Sequence, residues 1–230
     1  MKNLAHRLRH CAAIVLLAPA LALSGTLSLG TQAGGYYTVR VTTLKEARFR
    51  QTVRQQEDFS CGSAALATLL TYHYRRPISE REVLEAMYAA GDQQKIRREG
   101  FSLLDMKLYL ESRGFQADGF HAPLDKLIST GTPAIVLVNE SGYNHFVVLK
   151  GLVANEVLLG DPALGARVVQ RSAFEASWVN KLVFVIHGED VAGQFNAASD
   201  WRVRPRAPLG DAVSRESLAV SLVRPGRKDF

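Results

Sequence analysis

Cysteine is almost absent from this chain: Cys11 and Cys61 are the only two in 230 residues. A disulfide-stapled scaffold is therefore excluded, and no paired His or Cys spacing typical of a zinc site occurs. No convincing internal repeat is present either. Acidic residues are missing from the first 33 positions, whose only charges are Lys2, Arg7 and Arg9. An uncharged run from Cys11 to Leu29 follows them, with Ile14-Val15-Leu16-Leu17 and Leu21-Ala22-Leu23 at its centre. This layout predicts a secretory signal over residues 1–33, with small residues for cleavage at Thr31-Gln32-Ala33 and a periplasmic product. An uncleaved membrane anchor is the alternative. Pro19 and the Ser/Gly-rich second half weaken the run as a spanning helix. Cys11 follows Arg9-His10 rather than a small-residue lipobox, which argues against lipidation.

Loss of the signal would lower the formal net charge from +6 to +3, the difference being the three charges named above. A nucleic-acid role argued from the basic composition would rest largely on a discarded peptide, and none is expected. Cleavage would also leave Cys61 as the sole thiol in a disulfide-forming compartment, where a leftover cysteine points to intermolecular pairing or chemistry.

What is present organises as α+β. Residues 34–49 read as an N-terminal arm, and residues 36–54 as extended chain. A helix is predicted from Cys61, capped by Ser60 and striped by Ala64, Ala65, Leu66, Leu69 and Leu70, ending near Arg76 before Pro77. Ser79-Glu80-Arg81-Glu82 has the form of a capping box and opens a second helix that Gly91 ends. Ser102-Leu103-Leu104-Asp105 opens a third, closed by Gly114. A strand over Phe115–Phe120 and a short helix after Pro123 lead into Ala134–Val138, His145–Leu149, Val157–Leu159, Arg167–Val169 and Leu182–Ile186 as strands. A short helix at Ser172–Trp178 interrupts that series. Helices first and a mostly antiparallel sheet afterwards give a core domain over 50–187. Residues 188–230 read as a basic, flexible extension with a strand at Leu218–Val223, and its Trp201–Arg206 stretch offers contact with a partner or an anionic membrane surface.

A thiol attacks a carbonyl as thiolate, so a catalytic cysteine needs a setting that favours the anion. Cys61 would sit at a helix N-terminus, where unsatisfied N–H groups and the helix dipole do so. A histidine base could complete the pair. His6 and His10 fall in the export segment, and His73 is about three turns along the Cys61 helix, too far to touch the thiol. His121 and His187 read as bystanders. His145 begins an apolar strand after Ser141-Gly142-Tyr143-Asn144, and Asp161 ends the next strand in Gly160-Asp161-Pro162. In a hairpin those two positions lie side by side, so Asp161 could orient the imidazole. The oxyanion of an acyl-transfer intermediate needs N–H donors. The Cys61 backbone supplies one, and the Gln55 side-chain amide is the natural second. Gln56 competes for that role, facing the opposite side of an extended segment.

These blocks resemble the C39 family of papain-like cysteine peptidases, which process double-glycine leader peptides and are often fused to bacteriocin exporters. Gln55 through Ala65, the strand Asn144–Leu149 and Gly160–Pro162 occur in the family's order within residues 50–187. Gln55 and Cys61 fit the family spacing of Gln, four residues, an acid and Cys, although Ser60 stands where the acid is common. The resemblance implies a papain-like fold, with Cys61, His145 and Asp161 as the triad, Gln55 in the oxyanion hole, and no cofactor. It also implies a peptide or protein substrate cut after Gly-Gly or similarly small residues, and a secretion pore or exporter as partner. No transporter sequence follows, as in stand-alone exported members of the family, including those encoded with functional-amyloid secretion systems. Gly34-Gly35 is either a self-processing site or a flexible pair after the signal. Two other uses of the same residues stay open: a non-catalytic substrate-binding module, and acyl transfer or deamidation.

Overall fold

The computed structural model describes residues 26–30, 36–40, 42–188 and 194–204. The cleavage positions, the Gly34-Gly35 pair and the Leu218–Val223 strand lie outside those residues. The chain divides into two units, residues 1–43 and 44–230. In the first, β1 (Thr26–Gly30) and β2 (Tyr36–Arg40) form an antiparallel ribbon with Gly30 opposite Tyr36. β1 falls in the Ser/Gly-containing half of the apolar run.

The second unit begins with α1 (Leu44–Arg48), one short helix where the sequence predicts extended chain. α2 (Cys61–Thr68) is buried at every residue and continues as a π-helical turn over Leu69–His73. α3 (Glu80–Ala90) starts as predicted, with the Ser79 side chain accepting from Glu82 N–H. The reciprocal half of that box is missing, because the Glu82 carboxylate bonds Arg113 instead. α4 (Gln93–Glu99) was not foreseen, although Asp92 caps it by accepting from Gln94 and Lys95 N–H. α5 (Leu103–Ser112) carries both halves of its capping box, between Ser102 and Asp105.

After β3 (Gln116–His121) and α6 (Leu124–Thr130) come β4 (Ala134–Glu140), β5 (Tyr143–Val153), β6 (Glu156–Asp161) and β7 (Gly165–Gln170). α7 (Arg171–Ser177) and β8 (Trp178–His187) complete the series. The six strands order as β3-β8-β4-β5-β6-β7, every neighbouring pair antiparallel. Alternate residues face opposite sides of a strand, and here they fill two cores. Phe146, Val148, Phe184 and Ile186 meet Leu66, Leu69, Met87, Met106 and Leu110 from the first helices. Val147, Leu149, Val183 and Val185 meet Leu124, Leu127, Phe174 and Trp178 on the other side. Each fully buried side chain of this kind contributes about 1.5–3 kcal/mol. The fold is α+β, with the helices of residues 61–112 laid on an antiparallel sheet.

The extension from residue 188 departs from expectation, because residues 194–204 dock on the end of the Cys61 helix and on β5. Gln194 N–H donates to the His73 carbonyl, and the Asn196 side chain bonds both the N–H and the C=O of Leu152. The register of β5 against β6 shifts between Leu149 and Gly151, which leaves Lys150 as the extra residue of a bulge. Lys150 is fully buried, and its ammonium meets Asp200 at 3.1 Å and the Gln51 carbonyl at 2.7 Å. A buried ammonium without a counter-charge is strongly unfavourable. The docking of residues 194–204 supplies that carboxylate.

Candidate active site

Cys61 is the first residue of α2, a free thiol only 7% exposed. Ser60 does not cap the helix as the sequence predicts. Its hydroxyl turns back to the preceding turn, donating to the Glu57 carbonyl at 2.9 Å and accepting from Glu57 N–H at 3.1 Å. The first turn of a buried helix thus keeps N–H groups available to an anion. Gly62 explains itself by close approach. A Cβ there would stand 2.9 Å from Met106 Cε and 3.1 Å from Phe101 Cβ, so a side chain would have to displace the Met106 tip and crowd Phe101.

His145 is the third residue of β5, not the first. The β4–β5 connection is a two-residue turn at Ser141 (φ 54°) and Gly142 (φ 87°), the left-handed pair that suits a tight hairpin. On the next hairpin Val148 pairs with Gly160. Asp161 therefore falls beside Val147, on the same face as His145. The predicted contact is present: His145 Nε2 donates to Asp161 Oδ1 at 2.8 Å. Asp161, 1% exposed, also accepts Ala163 and Leu164 N–H on Oδ1 and Arg167 Nε on Oδ2.

With Nε2 committed to Asp161, Nδ1 is the ring atom left for the thiol. It is buried without a well-aligned hydrogen bond, while the ring as a whole interacts with Cys61. Burial opposes a charged imidazole here. The Asp161 hydrogen bond, the Cys61 contact and both of their charges overcome it, and the His145 pKa rises to about 9. Asp161 shows the mirror image: burial pushes its carboxyl up, and His145, Leu164 N–H and Arg167 together bring it below the usual range.

Gln55 and Gln56 part as alternation along an extended segment requires, Gln55 half-buried and Gln56 exposed. Gln55 N–H donates to the Pro162 carbonyl at 3.1 Å, which ties it to the Asp161 turn. Its Nε2 donates to the Glu57 carbonyl at 3.1 Å, and its Oε1 is buried without a partner. Cys61 opens into a cleft of about 220 Å³ lined by Asp58, Phe59, the end of α4 from Arg97 to Gly100, Tyr143 and Asn144. Hollows of about 340 and 350 Å³ elsewhere are larger, but neither is lined by Cys61, His145 or Asp161.

Two side chains around the site were not anticipated. Tyr143 donates its hydroxyl to the Asp58 carbonyl at 3.2 Å, and its ring centroid lies 6.1 Å from that of His145. Burial, then the charges of Cys61 and Asp58, raise its pKa. Arg167 pairs with Asp161 and Glu140. Its signal in the sequence is a cation in the strand that follows an Asp-Pro turn. The remaining described histidines stay apart: His73 binds the Gln194 carbonyl, His121 the Asn180 carbonyl and His187 the Asp118 carboxylate.

Comparison with known proteins identifies the family. The Peptidase C39 family model matches residues 50–190. A probable functional amyloid protease FapD of Pseudomonas fluorescens is 40% identical over 180 residues, 78% of each chain. Its counterpart from Pseudomonas aeruginosa is 42% identical over 156 residues, 68% of this chain and 69% of the relative. Among solved structures, the peptidase domain of the Streptococcus ComA transporter superposes with a TM-score of 0.50 at 22% identity, over 60% of this chain and 98% of that domain. That likeness concerns the fold. The family match and the two long relatives establish that this chain belongs to the C39 family and is a cysteine peptidase.

Proposed function

We propose that the protein is an exported endopeptidase that cuts a secreted peptide or protein after small, Gly-Gly-like residues, with Cys61 as nucleophile. The observation that carries the reading is His145 held between Asp161 and Cys61 in one buried cluster, its pKa raised to about 9. A ring that basic takes the thiol proton and stays charged at neutral pH, giving a thiolate–imidazolium pair. The sulfur attacks the scissile carbonyl carbon, and the electron pair moves to oxygen. The Cys61 backbone N–H and the Gln55 side-chain amide receive that oxyanion. The imidazolium then protonates the leaving amine, and the acyl-thioester remains. Water attacks next, giving its proton to His145, and the thiolate departs as the acid product forms. Asp161 holds the ring in one tautomer throughout.

The Tyr143–Asp58 hydrogen bond, which spans two walls of the cleft that holds Cys61, supports the preference for small residues flanking the cut. Export is supported by Lys2, Arg7 and Arg9 ahead of the apolar run. The names of the two Pseudomonas relatives, probable functional amyloid proteases, support a functional-amyloid client. Cys61→Ala should fold and should not cut a peptide carrying Gly-Gly before the scissile bond; the wild type should cut it and spare a Leu-Leu analogue. Cleavage by Cys61→Ala would remove the thiol mechanism, and equal cutting of both peptides would remove the specificity.

A further inference from the structure

Asp161 has two carboxylate oxygens, and its pairing with His145 uses one. Oδ1 is shared among His145 Nε2 and the N–H groups of Ala163 and Leu164. Oδ2 accepts from Arg167 Nε at 3.0 Å, and the same guanidinium reaches Glu140 through Nη2. Arg167 lies on β7 opposite Leu159 of β6, whereas Glu140 ends β4 opposite Tyr143 of β5. One planar group therefore joins the outer strand of the sheet to the Asp161 turn and to the base of the Ser141-Gly142 hairpin. That hairpin delivers Tyr143 to the cleft and His145 to Asp161.

Energetics say what this joint does. Asp161 is 1% exposed, so water cannot replace a lost partner on Oδ2. Without the guanidinium the buried carboxylate would have to rotate toward another donor or take up a proton. Rotation would move Oδ1 off His145 Nε2, and protonation would remove the charge that favours the imidazolium. A lysine could not substitute fully, because a point ammonium lacks the rigid fork that serves two carboxylates at once.

We infer that Arg167 is a positioning residue of the peptidase, fixing the rotation and charge of Asp161 and, through Glu140, the hairpin that carries His145. The inference rests on the reading of Asp161 as the residue that orients the base. Arg167 touches no reacting atom and acts through Asp161.

The test is a double-mutant cycle on the full chain, with peptide cleavage measured for wild type, Arg167→Met, Arg167→Lys, Asp161→Asn and Asp161→Asn/Arg167→Met. Arg167→Met should lower kcat roughly 10- to 100-fold, the scale of a small misplacement of a catalytic group, with KM nearly unchanged. Arg167→Lys should recover part of that loss. In the Asp161→Asn background the same Arg167→Met change should cost little more, because the group it acts through is already disabled. Losses that multiply in the double variant, or an Arg167→Met effect confined to KM, would overturn the inference. Should Arg167→Met fail to fold by circular dichroism, Arg167→Lys and Glu140→Gln against Asp161→Asn complete the cycle by the same criterion. Cys61→Ala runs alongside: its cleavage of the peptide would sink the underlying triad reading, whereas an inactive Cys61→Ala with additive Arg167 losses sinks only the positioning role.

Discussion

The β5–β6 region carries two buried clusters of charge, and each holds a histidine. At the cleft end, His145 sits between Asp161 and Cys61, and its pKa climbs to about 9. Behind it, His73 sits near Lys150 and the docked 194–204 segment, and its pKa falls to about 4. Burial disfavours the imidazolium in both places. For His73 burial is the larger cause, the Lys150 ammonium adds to it, and the Gln194 carbonyl opposes them weakly. For His145 a carboxylate and a thiol outweigh burial. A buried histidine on β5 is thus made a base by its neighbours, and another at the end of the Cys61 helix is kept inert by its own.

The two clusters also have opposite pH signs. A raised pKa contributes stability that is full below about 6.5 and is lost as pH climbs through about 9, which is the His145 case. A lowered one contributes stability above about 6.5 that is lost as pH falls through about 4, which is the His73 case. One cluster weakens toward alkali and the other toward acid.

The comparison breaks most visibly if the inert cluster can be made to matter for chemistry, or the active one not to. His145→Ala should lower kcat/KM by roughly 10²- to 10⁴-fold, the usual range for a general acid–base group, with the thermal midpoint close to wild type. Asp161→Asn should lose less, because the ring is misoriented rather than removed. Equal losses in a peptide-cleavage assay would make Asp161 a structural residue. The Lys150–Asp200 pair should behave in the reverse way. Asp200→Ala should destabilise the fold by about 3–5 kcal/mol in urea titrations, since it strands a buried ammonium. Lys150→Met combined with Asp200→Leu should recover most of that stability and leave kcat/KM near wild type. A double variant as unstable as the single one would show that residues 194–204 dock for another reason.

The sequence made the His145–Asp161 pair legible because its parts are local: a histidine early in an apolar strand and an aspartate at the end of the next need only a hairpin to meet. The thiol, on a helix far earlier in the chain, was joined to them by the family motif and not by spacing. The Ser79 and Ser102 caps were readable for the same reason as the pair. Contacts between distant segments were not. Nothing near Ser60 shows that its hydroxyl will turn to Glu57, and α1 forms where its own residues read as extended. The docking of residues 194–204 did leave a trace. Lys150 is a lone charge in the run Val147-Val148-Leu149-Lys150-Gly151-Leu152, and a cation buried mid-strand demands a carboxylate from somewhere. That the partner would be Asp200, in a segment composed like a solvated tail, could not be read from spacing. Arg167 escaped similarly, since its two partners lie on different strands.

An NMR titration of the His145 ring in wild type and in Asp161→Asn bears most directly on the nucleophile–base pairing. The imidazole should stay charged through neutral pH and lose its proton near 9 in the wild type, in step with the alkaline loss of cleavage, and at distinctly lower pH once the carboxylate is gone. A ring that titrates near its ordinary 6.5 in both proteins would mean that the thiol and the carboxylate do not hold it, and the proposed chemistry would fall with it.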